Sequence, residues 1–171
     1  MSDIKRFRGL PFIALLVGAV IFMGESRAAT LGAPKTELVY EATVDIADSL
    51  PIGKGPLGER RMVPITGGRF SGPRLHGKVL PGGADRQLIR ADGVKQLDAL
   101  YELQTSDGVV LTVHNQVLVH ELDAERYAFS HIDIIAPSGK YDWLNRYVYV
   151  GTLTSLKPQR NAVLIKVYRL K

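Results

Sequence analysis

Asp85 follows a Gly82-Gly83 turn and precedes a run of strand-forming residues. A carboxylate at the lip of a β-sheet cavity can act as a general base when burial lifts its pKa. The plainer reading is an aspartate that hydrogen-bonds turn backbone. Arg69 carries the forked donors that orient a carbonyl or an anion, and serves equally well as an ion-pair partner for Asp85 or Asp107. Tyr101 shares a strand face with Leu97 and Leu103; Asn115 shares one with Val109, Leu111 and Val113. Both are polar tips on apolar faces, and an inward polar tip needs a side chain, a water or a ligand as partner. Trp143, within Tyr141-Asp142-Trp143-Leu144-Asn145, offers an indole as core anchor or cavity wall. Taken together, Asp85 as base with Arg69 or Tyr101 polarising a carbonyl amounts to proton-transfer chemistry, such as isomerisation, cyclisation or lactone hydrolysis.

Other chemistries find less support. His114 and His120 share a strand parity but lie too far apart to hold one metal, and His76 and His131 are isolated. Without an H-x-H pair or a nearby carboxylate cluster, no metal site and no cofactor is expected. Ser71 lies in no nucleophile elbow. The glycine pairs Gly67-Gly68 and Gly82-Gly83 precede no helix, so they read as turns or bulges rather than a phosphate loop. The absence of cysteine excludes disulfides, thiolate ligands and a thiol nucleophile.

The elements that must position these residues are strands. From Glu37, Leu38, Tyr40, Ala42, Val44 and Ile46 alternate with Glu41, Thr43 and Asp45, the period of a half-buried strand. The glycine- and proline-rich stretch from Asp48 to Gly58 reads as a long loop. Arg60 to Thr66 reads as a strand stopped by Gly67-Gly68, with short strands near Phe70, from Leu75 to Leu80 and from Ala84 to Arg90. Leu97 to Thr105 and Val109 to Val119 form the clearest hairpin, because Asp107-Gly108 supplies the positive φ of a tight turn. Arg126 to Ile135, Tyr147 to Thr154 and Ala162 to Leu170 complete about nine strands. No sustained helical period follows residue 30. The expected fold class is all-β, a single antiparallel β-barrel of lipocalin-like shape, since closure removes exposed edges. An outer-membrane barrel is the rival; the chain lacks regular lipid-facing segments of about ten residues. The last two strands carry apolar residues on both faces, which favours a homo-oligomer.

The first segment reads as an address. Lys5, Arg6 and Arg8 precede an apolar run from Leu10 to Gly24, and Ser26-Arg27-Ala28 has the small residues of a cleavage site. This is the order of a secretory signal peptide over residues 1–28, cleaved near Ala28, with a linker over 29–36 and the barrel domain over 37–171. An uncleaved anchor is the alternative; either way the expected location is periplasmic or secreted, with the membrane touched only through that segment. Of the net charge of +5, residues 1–28 supply Lys5, Arg6, Arg8 and Arg27 against Asp3 and Glu25, leaving +3. With no basic run beside exposed aromatics, no nucleic-acid partner is expected.

Three stretches carry a family likeness: Ile65-Thr66-Gly67-Gly68-Arg69-Phe70-Ser71-Gly72-Pro73 running into Gly77 to Asp85, Tyr101 to Gly108 with Val113-His114-Asn115, and Tyr141 to Arg146 with Val150-Gly151. Together they resemble the domain of unknown function 3237 family, also called uncharacterised protein family 0311, from about Leu38 to Leu170. The resemblance implies a single antiparallel β-barrel with a central cavity, and no settled activity. The chain departs from the family at Val117, where a glycine is common, and over Tyr127 to His131, where many members carry a proline-containing run. The expected partner is a small, largely apolar or carbonyl-containing molecule held in the barrel. The alternatives are an enzyme using that cavity and an assembly protein whose barrel is filled by side chains.

Overall fold

The computed structural model describes residues 32–122 and 125–171. The signal-peptide expectation falls on residues 1–28, outside the described residues. Ten strands follow: β1 (Thr36–Ile46), β2 (Leu50–Gly55), β3 (Gly58–Ser71), β4 (His76–Val79), β5 (Ala84–Ile89), β6 (Lys95–Thr105), β7 (Val110–Leu122), β8 (Glu125–Ile135), β9 (Tyr149–Ser155) and β10 (Ala162–Leu170). All ladders are antiparallel. They run β1-β10-β9-β8-β7-β6, then through β4 and β5 to β3, and β3 pairs back to β1. The sheet closes into an eight-position barrel, because β4 and β5 lie end to end between β6 and β3. Closure satisfies the edges that an open sheet would leave to other chains.

Two differences from the sequence reading have a local cause. The stretch read as a loop holds β2, which pairs with the first half of β3 across a register shift between Pro51 and Gly53. Its ladder partner supplies the regularity that its glycines and proline hide. Gly67-Gly68 does not stop a strand either. Both glycines have positive φ, +145° and +138°, inside a continuous β3. A Cβ on Gly68 would sit 2.1 Å from the Thr43 carbonyl oxygen, so only glycine lets β1 approach there. The ladder with β1 slips at this point, from Asp45↔Gly67 to Ile46↔Ile65. A bulge of this kind bends a strand and swaps which face its side chains take.

The interior has two halves. One is filled by Tyr40, Phe70, Leu75, Leu103, Leu111 and their neighbours, and is shut by the 3-10 helix Asp142–Arg146, whose Leu144 is fully buried. That plug is pinned to the wall by side chains. The Asn145 Oδ1 accepts from the Ala136 N–H at 2.9 Å, its Nδ2 donates to the Ala136 and Asp142 carbonyls at 2.9 and 3.1 Å, and the Tyr149 hydroxyl donates to the Leu144 carbonyl at 2.8 Å. Asp107, in the β6–β7 turn, accepts from Thr105, Lys140 and Tyr141 at the same end. We expect Asn145→Ala to destabilise the domain by about 1–3 kcal/mol, because backbone groups lose partners they cannot replace; urea unfolding measures it. Of the late apolar residues, Tyr149, Ile165 and Val167 point inward, while Val148 is exposed.

Candidate functional site

The other half of the barrel is open. A cavity of about 270 Å3 lies there, walled by Val44, Val63, Leu97, Val117, Leu153 and Ile165 among others. An interior of this kind is not a filled barrel. Its floor is polar. Inward positions run from mouth to floor as Leu97, Ala99 and Tyr101 on β6, and as Val119, Val117 and Asn115 on β7. Below them Leu103 and Leu111 belong to the packed half.

Asp85 stands on the wall. In the ladders it lies opposite Ala99, which lies opposite Asn115. Asp85 and Asn115 are therefore one strand apart on a single level, about 10 Å between backbones at twice the interstrand spacing. Only the Ala99 methyl lies between them, which leaves space over it for a ligand. Asp85 is held in place. Its Oδ1 accepts from the Asp98 N–H at 2.9 Å and its Oδ2 from the Gln87 side chain, whose Oε1 in turn accepts from Arg61 Nε at 2.7 Å. Burial pushes the Asp85 carboxyl above the usual aspartate range; the bonds from Gln87 and Asp98 and the charge of Arg61 pull the other way without cancelling it. A carboxylate poised in this way takes and returns protons more readily near neutral pH than an exposed aspartate does.

Asn115 and Tyr101 are buried, at 1% and 0% exposure, and neither the Asn115 amide nor the Tyr101 hydroxyl has an aligned hydrogen-bond partner among the described residues. Beneath Tyr101 lies Tyr40; the two hydroxyls face each other closely enough to shift one another's titration without forming an aligned bond, so Tyr40 can donate to Tyr101 while Tyr101 donates to a ligand. Burial raises both phenols well above the ordinary tyrosine value, so both stay protonated. Buried polar groups are normally satisfied. The two of these that line the cavity, the Tyr101 hydroxyl and the Asn115 amide, are donors that a bound carbonyl or hydroxyl would use. Ser130, inward on β8, is unpartnered too.

Of the five residues proposed from sequence, three meet in this cavity: Asp85, Tyr101 and Asn115. Arg69 does not. It is exposed on the outer face of β3, because the bulge at Gly67-Gly68 reverses the alternation between Ile65 and Phe70, both buried. Trp143 is also elsewhere: it packs at the plugged end, with the Arg74 guanidinium 4.1 Å and the Arg169 guanidinium 5.8 Å from its ring centre. His114 faces outward, its Nε2 2.6 Å from Asp98. Among the described residues no group of His, Asp and Glu is placed to hold a metal ion. Tyr40, Gln87 and Arg61 were not singled out by sequence. Tyr40 had a signal, its place on the inward face of an alternating strand; Gln87 and Arg61 had none that separates them from surface residues.

The family model described as "Protein of unknown function (DUF3237)" matches residues 34–170. The chain belongs to the DUF3237 family. A UPF0311 protein of Clostridium acetobutylicum is 31% identical over 149 residues, covering 78% of this chain and 92% of its own. A β-barrel-like protein of Acinetobacter baumannii superposes with a TM-score of 0.78 at 29% identity, over 84% of this chain and 99% of its own. The hydroalkoxylation enzyme phnH of Penicillium herquei is 31% identical over 123 residues, 72% of this chain and 76% of its own. The closed barrel described above is thus a DUF3237 barrel, and one relative of that barrel is named for a reaction.

Proposed function

We propose that this DUF3237 barrel is an enzyme that adds a hydroxyl O–H across a C=C bond inside its cavity, a bond we take to be conjugated to a carbonyl; the Penicillium herquei relative is named for hydroalkoxylation. The observation that carries the proposal is the pairing of a half-buried Asp85, its carboxyl pKa raised by desolvation, with the unpartnered donors of Tyr101 and Asn115 in one largely apolar cavity. The substrate carries a hydroxyl and an enone. Tyr101 and the Asn115 amide donate hydrogen bonds to the carbonyl oxygen. Asp85 takes the hydroxyl proton as the oxygen bonds to the β-carbon. The electron pair of the C=C bond moves onto the carbonyl oxygen, where the same donors stabilise it. Protonated Asp85 then returns its proton to the α-carbon. One C–O and one C–H bond form, one O–H bond and one π bond are lost, and the carboxylate is regenerated. Confinement in about 270 Å3 favours the folded, near-attack substrate.

A binding protein without turnover is the second reading, favoured by the closed apolar walls alone. A panel of hydroxy-enones headed by ortho-hydroxychalcone separates the two. The enzyme reading expects cyclisation faster than in buffer, with one product enantiomer in excess. Racemic product at the buffer rate, from protein that binds the same compounds, leaves the binding reading standing.

A further inference from the structure

The cavity mouth has a charge pattern that the chemistry above does not use. Among the described residues four cationic side chains line the cavity, Arg61, Lys95, Arg126 and Lys157, against one carboxylate, that of Asp85. They come from four separate segments, β3, β6, β8 and the β9–β10 turn. None of the four forms an ion pair among the described residues. Elsewhere on the barrel some cations are paired, Lys140 with Asp107, Arg160 with Asp45, Lys166 with Glu41, Arg169 and Lys171 with Glu37, and others, such as Lys54, Arg60 and Lys78, form no ion pair among the described residues; what sets these four apart is that they converge on one cavity. Of the acidic groups near the mouth, Asp92 is taken by Arg90, and Glu121, opposite Arg126 in the ladder, lies beyond ion-pair distance. Arg61 is fixed by its bond to Gln87, while Lys95, Arg126 and Lys157 are exposed and free to close on a ligand. Below this ring the walls are apolar, and the floor carries the open donors of Tyr101 and Asn115.

We infer that the cavity takes an anionic amphipath: a carboxylate or comparable anionic group held at the mouth by Lys95, Arg126 and Lys157, an apolar body between the walls, and a carbonyl or hydroxyl at the floor. The inference names the substrate class of the proposed reaction and rests on that reading only in taking the occupant as the substrate. A ring of cations over a low-dielectric cavity focuses its field on the entrance, raising the capture rate of anions and fixing which end enters last.

The probes are naphthoate and its neutral counterpart naphthamide, titrated calorimetrically into the chain. Naphthoate is expected to bind at least tenfold tighter than naphthamide in low salt and to lose that advantage as salt rises. The double variant Lys95→Gln/Arg126→Gln should weaken naphthoate by roughly tenfold, at roughly two- to fivefold per exposed ion pair, and leave naphthamide unchanged. Both positions are exposed, so the barrel is not perturbed. Equal affinity for the two probes, equal losses in the double variant, or no binding of either would overturn the inference. Asp85→Asn keeps the two claims apart. It should cut hydroxy-enone turnover by about 10²–10⁴-fold yet leave naphthoate binding unchanged or tighter, since it removes a like charge from the cavity. A naphthoate preference in a chain that turns over no hydroxy-enone sustains the anionic occupant and overturns only the reaction.

Discussion

Asp85→Asn is expected to lower kcat on a hydroxy-enone by about 10²–10⁴-fold, the usual contribution of a positioned proton-transfer group. KM should hardly move, because Asp85 acts on the hydroxyl proton while Tyr101 and Asn115 hold the carbonyl. The amide keeps the shape of the carboxyl and can still accept the Asp98 N–H. It cannot take a proton. The wild-type pH profile gives an independent check. Asp85 must be ionised to act, and burial lifts its pKa above the ordinary aspartate value. Activity should therefore be full at high pH and fall as pH drops through that raised pKa, earlier than an exposed aspartate would dictate. In Asp85→Asn the residual rate should lose this limb. A residual rate that keeps the wild-type limb would assign the proton transfer to another group.

The barrel and its site were legible in the sequence to different degrees. The β6–β7 hairpin was plain because Asp107-Gly108 marks its turn and alternation marks its strands. That alternation also placed Tyr101 and Asn115 correctly, because both sit in strands free of bulges. The one break in the pattern, Leu100, is exposed on the outer wall. Arg69 was chosen for its guanidinium and not by counting: the strand reads as ending at Gly67-Gly68, whereas β3 continues through them in a bulge that turns Arg69 outward. Nothing short of the ladder with β1 reveals that bulge. Asp85 was found for its chemistry, but its setting was hidden, since the backbone of Asp98 and the side chains of Gln87 and Arg61 reach it from ladder partners and from two residues along the same strand. The cationic mouth was invisible for the same reason. Its members, residues 61, 95, 126 and 157, are 31 or more residues apart along the chain in every pairing and share a rim only after closure. Local pattern fixes faces; closure decides which faces meet.

Asn115→Leu should make the protein more stable and less active at once. The Asn115 side chain is 1% exposed, and neither its Oδ1 nor its Nδ2 has a hydrogen-bond partner among the described residues. Leaving an amide buried without partners costs about 1–3 kcal/mol. Leucine has the same branched heavy-atom outline as asparagine and carries no polar atom, the cavity that residue 115 lines can take up its greater volume, and its neighbours across the ladders, Ala99 and Ile132, are apolar. Most of that penalty should be recovered, raising the unfolding midpoint by several degrees for a domain of this size. Turnover should fall by about 10²–10³-fold, the usual effect of removing one donor to a developing oxyanion. The combination is what distinguishes a functional from a structural amide. An asparagine kept for the fold would have a bond to lose, and its replacement would destabilise. One kept for a ligand has a donor that the substrate's carbonyl engages and no protein bond to lose, so the free protein gains when it is removed. Thermal unfolding with and without naphthamide provides the closing test. The wild-type midpoint should rise on binding by more than that of Asn115→Leu, because only the wild type has an unmet amide for the ligand to satisfy. Equal shifts in the two proteins would place the Asn115 amide outside the ligand's reach.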